Sequence, residues 1–141
     1  MNPKVRVLYA REQSLDAAEF RRVLVESGLG EHRPVDDELR LKQMLSGANL
    51  IVTARLERPG SPLVGVARGV TDSCWCCYVS EVAVSKEAQG LGIGQGLLDE
   101  ARRQIGPRVT LMLASYPNVV GFYERIGMMR WADSFLFKRE S

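Results

Sequence analysis

Apolar residues follow two different spacings along the chain, and the order of these segments predicts a mixed α/β domain. Runs with apolar residues three and four positions apart predict helices that begin near Asp16 and Asp36, after the glycines that follow Gln89, and at Pro117. The predicted order is one strand, two helices, three strands, a helix, a strand, a helix and a last strand. Alternating or wholly apolar runs predict these strands at residues 5–9, 49–56, 63–70, 74–84, 109–114 and 131–138.

Polar residues before the first two predicted helices indicate where each helix begins. Asp16 and Glu19 have the spacing of a capping box, and Asp36 is placed to cap the second helix. Glycines at 28 and 47 are expected to end the two helices. The stripe predicted to be buried in the first helix is Ala17, Phe20, Val23 and Leu24. The second helix is expected to carry Leu41, Met44 and Leu45 on one side.

Length and charge limit the class of protein. With 141 residues the chain is expected to form a single domain over 1–141, and a net charge of +2 does not suggest a nucleic-acid partner. No apolar run approaches the roughly 20 residues that span a membrane. Met1–Lys4 leads directly into the first strand without the pattern of a signal peptide. We therefore expect a cytoplasmic protein with no membrane partner.

Three cysteines, Cys74, Cys76 and Cys77, fall within the long strand predicted at 74–84. An odd number packed into one apolar run is a poor disulfide framework. With His32, the only histidine, they have the donor types of a zinc site, but neighbouring side chains of a strand point to opposite faces. Free cysteine also behaves as a small buried hydrophobe, so we expect core packing and no metal site.

The segment around Gly90 has the arrangement of an anion-binding site. A β-branched strand ends, glycines occupy every second position from Gly90 to Gly96, and a helical pattern follows. Glycine lets the backbone approach a ligand closely, and the first N–H groups of a helix lack an internal acceptor and favour phosphate. The Rossmann spacing fails at Gln95 or Leu97, and no Gly-Lys-Ser/Thr follows as in a Walker loop.

What remains, Gln89-x-x-Gly92-x-Gly94 after a strand, resembles the pyrophosphate loop of the GNAT superfamily of acyl-CoA-dependent N-acetyltransferases. Further along the chain, the segment from Asn118 to Gly127 resembles the second GNAT hallmark, Asn-x-x-Ala-x-x-Phe-Tyr-x-x-x-Gly-Phe. This segment keeps the adjacent Phe122-Tyr123, but its alanine position is shifted to Val120-Gly121 and its final phenylalanine is Met128. The order of elements along the whole chain is also the GNAT order.

The resemblance implies the GNAT fold, an α/β architecture with a mixed central sheet of about six to seven strands and flanking helices. The strands before and after the glycine loop would splay apart and hold acyl-CoA, with acetyl-CoA as the cofactor and coenzyme A as the product. The Val82 N–H would also act as an oxyanion-hole donor. The resemblance and the loop chemistry imply cofactor contacts from Val82, Ala83, Val84, Gln89, Gly90, Leu91, Gly92, Ile93, Gly94, Gln95, Asn118 and Tyr123.

The activity that the resemblance implies is transfer of an acetyl group to a primary amine of a small molecule or peptide, by direct attack through a tetrahedral intermediate. Tyr123 is the candidate general acid, because a phenol of pKa about 10 can protonate a thiolate whose conjugate acid lies near 8.5. Glu81, the only acidic residue in the central strand, is either the general base or a structural carboxylate. Acceptor contacts are expected from Leu29, Arg33, Trp75, Tyr78 and Tyr116.

Two further expectations concern the alternative function and the assembly. A binding module that senses acyl-CoA without turnover is the alternative to an enzyme, and retention of Tyr123 and Glu81 argues against it. Since many GNAT relatives pair through their late strands, the resemblance also implies a possible homodimer through residues 131–138.

Overall fold

The computed structural model describes residues 5–141, which form a five-stranded sheet with helices on both faces. The strands are β1 (Val7–Arg11), β2 (Leu50–Leu56), β3 (Leu63–Thr71), β4 (Cys76–Val84) and β5 (Thr110–Met112). The helices are α1 (Ala17–Ser27), α2 (Glu38–Gly47), α3 (Ile93–Ile105) and α4 (Val120–Arg125), with 3₁₀ turns at Leu29–His32, Lys86–Ala88 and Pro117–Val119.

The strands lie in the order β1-β2-β3-β4-β5. Neighbours are antiparallel from β1 to β4, and β5 is parallel to β4. The ends of these five strands differ from the predicted ends by at most two residues. Met1–Lys4, on which the argument about a signal peptide rested, lies outside the described residues. No helix formed by residues 5–141 is both long and apolar enough to cross a membrane.

The first two helices begin where a side chain caps them. The Asp16 carboxylate accepts a hydrogen bond from the Glu19 N–H at 3.1 Å, as the capping-box spacing predicts. The cap of α2 is Asp37 and not Asp36, and its carboxylate accepts from the Arg40 N–H at 3.0 Å. Two adjacent aspartates satisfy the same sequence rule, so the pattern alone did not distinguish them. Gly28 ends α1 with φ of 87°.

Each face of the sheet has its own hydrophobic core. The helices α1 and α2 cover one face, and α3 covers the other. All four residues of the stripe predicted for α1 are buried, as are Leu41 and Leu45 of α2. The α1 face includes Phe20, Leu24, Leu41, Ile51 and Val66, and the α3 face includes Leu50, Val52, Val64, Ile93 and Leu97. Burying one such side chain stabilises the fold by about 1.5–3 kcal/mol.

Residues 131–138 form no strand, so the sheet has five strands among the described residues and not the six to seven that we expected. Phe135 is 97% exposed and Phe137 is fully exposed. A strand requires a neighbouring backbone as well as suitable residues, because its N–H and C=O groups must be paired. The alternation of apolar residues indicates only the propensity of this segment, which pairs with no described strand here.

The cysteines do not all pack in the core. Cys77 is buried on the α3 face, where burial raises the pKa of its thiol, but Cys74 and Cys76 are exposed. The expectation of core packing was therefore wrong for two of the three, because Cys74 precedes the strand and Cys76 points to the opposite face from the buried Cys77. Within residues 5–141, no three His, Cys, Asp or Glu side chains are grouped closely enough to hold a metal ion.

The contact between α3 and the sheet depends on a glycine in β3. An added Cβ at Gly65 would lie 2.9 Å from Ile93 Cγ2 and 3.2 Å from Leu97 Cδ1, both on α3. We expect Gly65→Ala to destabilise the fold by about 1–3 kcal/mol, because the helix must move away from the sheet. The change can be measured as the free energy of unfolding in urea.

Gly47→Ala is the matched control for this substitution. Gly47 ends α2 with no atom within 4 Å of an added Cβ. Alanine has the higher helix propensity, so the control should keep or slightly raise the stability. Equal effects of the two substitutions would show that α3 does not rest on Gly65.

Candidate active site

A cleft of about 830 Å³ opens where β4 and β5 separate. The two strands pair only between Cys76–Tyr78 and Thr110–Met112. Beyond Tyr78, β4 continues to Val84 with no strand on this edge among the described residues. The expected pair of splayed strands is therefore present. The walls of the cleft include Ser80, Val82 and Val84 on one side and Ala114, Ser115 and Tyr116 on the other.

The free edge of β4 presents backbone donors to this cleft. The Ser85 N–H donates to the Val64 carbonyl of β3 at 2.8 Å. Successive N–H groups of a strand point to alternate edges, so the Val84 and Val82 N–H groups point away from β3, towards the open side. The side-chain amide of Gln89 donates to the Val84 carbonyl at 3.3 Å and ties the following loop to the end of β4.

The glycine loop adds a second set of donors to the same cleft. Gly90 and Gly92 have φ of 85° and 75°, a left-handed conformation that glycine adopts without strain. Gly92 caps α3, and the first N–H to donate to the cap carbonyl is that of Gly96, at 2.9 Å. Within residues 5–141, the N–H groups from Gly90 to Gln95 have no acceptor. This is the geometry of a phosphate site.

The other wall of the cleft is α4 with the turn before it. An added Cβ at Gly94 would lie 3.0 Å from Phe122 Cζ, so this glycine lets α4 approach the start of α3. The rings of Phe122 and Tyr123 meet edge to face with their centroids 5.0 Å apart. Burial raises the pKa of Tyr123, so its phenol keeps its proton at neutral pH. Asn118 lines the same wall.

Glu81 lies between two arginines, of which Arg33 lines this cleft. Arg68 of β3 donates from Nε to Oε1 and from Nη2 to Oε2, the latter at 3.1 Å. Arg33, from the loop after α1, donates from Nε to Oε2 at 2.7 Å. The Ser80 hydroxyl donates to Oε2 at 2.6 Å. The Glu81 side chain is fully buried, and only 10% of the Arg68 side chain and 15% of the Arg33 side chain are exposed.

This environment favours a structural role for Glu81 over a role as the base. Burial alone would raise the pKa of Glu81, but the hydrogen bonds and charge of Arg68, with Ser80 and Arg33, outweigh it and hold the pKa below its ordinary value. A carboxylate whose pKa is lowered accepts a proton poorly near pH 7. Glu81 also does not line the cleft.

The loop from Leu29 to Arg33 borders the same cleft as the glycine loop. His32 stacks on Tyr116 with ring centroids 4.3 Å apart and an angle of 24° between the rings. Burial lowers the pKa of Arg33, but Glu81 and, to a lesser extent, Tyr116 outweigh burial and raise it overall. Three of the residues expected to contact an acceptor, Leu29, Arg33 and Tyr116, therefore meet in one place.

The remaining predicted site residues lie elsewhere. Trp75 is 77% exposed in the turn before β4, and Tyr78 lies on β4 before the strands separate. Ala83 is buried in the core on the α1 face. The side chains of Leu91 and Gln95 are exposed outside the cleft, although their backbone belongs to the loop.

Arg68 and Ser80 are the parts of the site that the sequence reasoning missed. A signal existed, because Arg68 is a lone cation in an otherwise apolar strand and Glu81 is a lone anion in the next. Pairing Arg68 with Glu81 from the sequence would have required knowledge of the register between β3 and β4. That register shifts between Arg68 and Gly69, so Ser80 is an extra residue that a regular hairpin would not contain.

Comparison with protein families identifies one model that matches most of the chain. Residues 30–138 match the family described as acetyltransferase (GNAT) domain. Among curated proteins, the chain is 27% identical over 97 residues to the uncharacterized N-acetyltransferase ycf52 of Pyropia yezoensis. The match covers 67% of this chain and 56% of that protein, so the chain spans little more than half the length of the curated relatives it matches.

Solved structures show the same fold at lower sequence identity. A GNAT family acetyltransferase from Streptococcus pneumoniae TIGR4 has a TM-score of 0.69 at 22% identity, over 96% of this chain and 100% of that one. Aminoglycoside N-acetyltransferase AAC(6′)-Iy, solved with CoA, has a TM-score of 0.70 at 11% identity, over 100% of this chain and 99% of that one. Ribosomal-protein-alanine N-acetyltransferase from Brucella melitensis biovar Abortus 2308 has a TM-score of 0.68 at 20% identity, over 95% of this chain and 100% of that one.

The buried ion pairs predict a pH-dependent effect of Glu81→Gln. At pH 7 we expect a loss of about 3–5 kcal/mol in the free energy of unfolding, because two buried guanidinium groups lose their anion. The folded pKa of Glu81 lies below its ordinary value of 4.5. Its carboxylate therefore stabilises the fold above that value, and this contribution is lost as the pH falls through the folded pKa. The difference between variant and wild type should shrink below about pH 4.5.

Glu38→Gln is the control for this measurement by urea unfolding at several pH values. Glu38 pairs with Lys42 at 3.1 Å on the surface, and its side chain is 77% exposed. Such a pair contributes at most about 0.5 kcal/mol. A loss in Glu81→Gln that stays constant from pH 7 to pH 3 would contradict an ionised Glu81.

Proposed function

Because this chain belongs to the GNAT acetyltransferase family, we propose that it transfers an acetyl group from acetyl-CoA to a primary amine of a small molecule or peptide. The chain is an acyltransferase by family. We propose three further points: acetyl-CoA as the donor, a primary amine as the acceptor, and direct attack of the amine on the thioester. The main support for this proposal is that the free N–H groups of β4 and those of the glycine loop line one cleft.

The residues of the cleft fit acetyl-CoA in two ways. A pyrophosphate needs several N–H donors without acceptors, and the backbone from Gly90 to Gln95 supplies them at the positive end of the α3 dipole. A pantetheine arm carries amides that pair with an open strand edge, and β4 beyond Tyr78 is such an edge. A solved structural neighbour, AAC(6′)-Iy, carries CoA.

When bound, acetyl-CoA supplies the acetyl thioester, and each part of the cleft then has a separate task. We assign the Val82 N–H to the developing oxyanion, because it points into the cleft and is not used by β3. We assign the Tyr123 phenol to protonation of the sulfur that leaves, since its raised pKa keeps the proton available. Asn118 and the glycine loop hold the cofactor without acting on the reacting atoms.

The base of the reaction is not assigned to a side chain. Glu81 holds two arginines and does not line the cleft. An alkylamine is mostly protonated at neutral pH, so its proton must leave before attack. We propose that the proton passes to water, since the cleft is wide and joins the surface.

The proposed class of acceptor, a primary amine, is supported by the names of two structural neighbours. Two structural neighbours are named for acetylation of aminoglycosides and of a ribosomal-protein alanine, respectively. Both kinds of acceptor present a primary amine. The loop from Leu29 to Arg33 lines the cleft together with Tyr116. We propose that such an amine enters beside these residues.

The proposal includes a homodimer. Trp131, Phe135, Leu136 and Phe137 are exposed in one segment, and no residue of α4 is buried. Apolar surface of this kind is typical of an interaction site. We propose that residues 131–138 of each copy pack against the other copy.

Tyr123→Phe tests the proposed acid. Release of the CoA thiol from acetyl-CoA is measured with aminoglycosides, polyamines, arylalkylamines, amino acids, amino sugars and peptide N-termini as acceptors. With an acceptor that reacts, we expect kcat to fall by about 10²–10⁴. The Kd for acetyl-CoA should stay near the wild-type value, because the loop contacts remain.

Tyr78→Phe is the matched control, since this tyrosine lies outside the cleft. It should keep the wild-type kcat. Tight acetyl-CoA binding with no thiol release from any acceptor would favour the sensor alternative. A wild-type protein that binds no acetyl-CoA would contradict the whole proposal.

Sedimentation equilibrium at micromolar concentration tests the dimer. We expect a mass of two chains for the wild type and of one chain for a variant with Phe135→Ser and Phe137→Ser, which loses apolar contact area. A monomeric wild type would exclude this assembly.

A further inference from the structure

We propose that Arg33 is a positioning residue for acyl transfer, which fixes the bulge in β4 and so directs the Val82 N–H into the cleft. The inference rests on the proposed function. In this inference Glu81 and Arg68 help Arg33 to hold the bulge. The loop after α1, which carries Arg33, thereby affects the donor that faces the reacting carbonyl.

The bulge lies where β4 separates from β5. Arg68 is opposite Glu81, but Gly69 is opposite Val79, so Ser80 is the extra residue on β4. The pairing with β5 ends at Tyr78, two residues before the bulge. A bulge bends its strand and increases the local twist. The residues after it, Val82 among them, are therefore turned relative to the part of β4 that pairs with β5.

The bulge also changes which side chains face α1. Val70 is opposite Tyr78 and Arg68 is opposite Glu81. Positions 68 and 70 share one face of β3, so Tyr78 and Glu81 share one face of β4 although they lie three residues apart. Without the extra residue, Glu81 would lie on the other face from Arg68 and their ion pair would be lost.

Arg33 holds the extra residue itself. Its Nη2 donates to the Ser80 carbonyl at 2.7 Å, and its Nε donates to Glu81 at 2.7 Å. The Ser80 hydroxyl also donates to Glu81, at 2.6 Å. A bulged residue leaves the regular ladder, so its carbonyl needs another donor. Among residues 5–141, Arg33 is the only residue outside β4 whose side chain donates to Ser80.

Arg68 does not duplicate this contact. Its guanidinium donates to Glu81 and to the Met44 carbonyl of α2 at 3.2 Å, but not to Ser80. Arg68 thus fixes the carboxylate against β3, and Arg33 uses the fixed carboxylate and the Ser80 carbonyl as two points of attachment. The planar fork of arginine suits two such acceptors, whereas lysine offers a single ammonium group.

The group of three side chains also carries a net positive charge. Two guanidinium groups and one carboxylate give a net charge of +1, and all three side chains are largely buried. Arg33 and Val82 line the same cleft. Water screens the charge of buried groups less than that of exposed groups, so this net charge adds to the stabilisation of an oxyanion bound at the Val82 N–H.

Infrared spectroscopy of bound acetyl-CoA tests the inference without an acceptor. Spectra recorded with unlabelled acetyl-CoA and with acetyl-CoA labelled with ¹³C at the acetyl carbonyl are subtracted, free and bound, so that the difference isolates the C=O stretch from the protein bands. An aligned donor polarises the carbonyl and lowers its frequency. We expect a lowered frequency in the wild type and loss of most of this shift in Arg33→Met, with the Kd for acetyl-CoA changed less than about threefold because the loop contacts remain.

Three further samples separate position from charge and from misfolding. Arg103→Met removes one positive charge at an exposed position of α3 outside the cleft, so it should keep the wild-type carbonyl frequency. Arg33→Lys keeps the charge but cannot reach both acceptors, and we expect it to lose part of the shift. Guanidinium ion at a non-denaturing concentration should restore part of the shift in Arg33→Ala.

The outcomes distinguish this inference from the proposed function. A wild-type protein that binds no acetyl-CoA contradicts the proposed function. A wild type that binds acetyl-CoA without a lowered carbonyl frequency overturns the role of the Val82 N–H and this inference with it. A folded Arg33→Met that binds acetyl-CoA with the full wild-type shift overturns the inference alone. If Arg33→Met does not fold, the carbonyl frequency in Arg33→Lys is compared with that of the wild type, and the full wild-type shift in Arg33→Lys overturns the inference.

Discussion

The carboxylate of Glu81, held between two guanidinium groups in the middle of the sheet, is the contact on which the shape of the cleft depends. It joins β4 to β3 through Arg68 and to the loop after α1 through Arg33. A buried ion pair of this kind contributes little net stability, but removing one member leaves the others uncompensated. The value of the contact is therefore geometric. It keeps one extra residue in β4 at the point where the sheet opens.

The glycines around α3 show how one short motif serves both binding and packing. Gly90 and Gly92 adopt left-handed backbone conformations and leave the loop N–H groups free. Gly94 and Gly96 lie inside the helix, where a side chain would collide with Phe122 and Tyr9. The first pair suits an anion, whereas the second pair lets the helix approach its neighbours. A substitution at Gly90, Gly92 or Gly94 would change the cleft, whereas one at Gly96 would disturb the contact between α3 and β1.

Several features followed from short stretches of sequence. The start and buried stripe of α1, the end of α1 at Gly28 and the free start of α3 were predicted, because caps, helix periodicity and glycine conformations act within a few residues. The same local rules failed where two candidates were adjacent, as at Asp36 and Asp37. They also failed at residues 131–138, since alternating apolar residues do not specify which backbone a strand will pair with.

The sequence by itself determined that the chain is an α/β domain with a glycine loop between a central strand and an amphipathic helix, and it indicated Tyr123 and Glu81 as candidates for chemistry. Only the tertiary structure decided what Glu81 does. Its partners Arg68 and Arg33 are 13 and 48 residues away along the chain, and they reach it only through the register of β3 on β4 and the path of the loop after α1. Contacts between distant segments depend on how whole helices and strands pack, and the spacing of residues along the chain does not specify that packing.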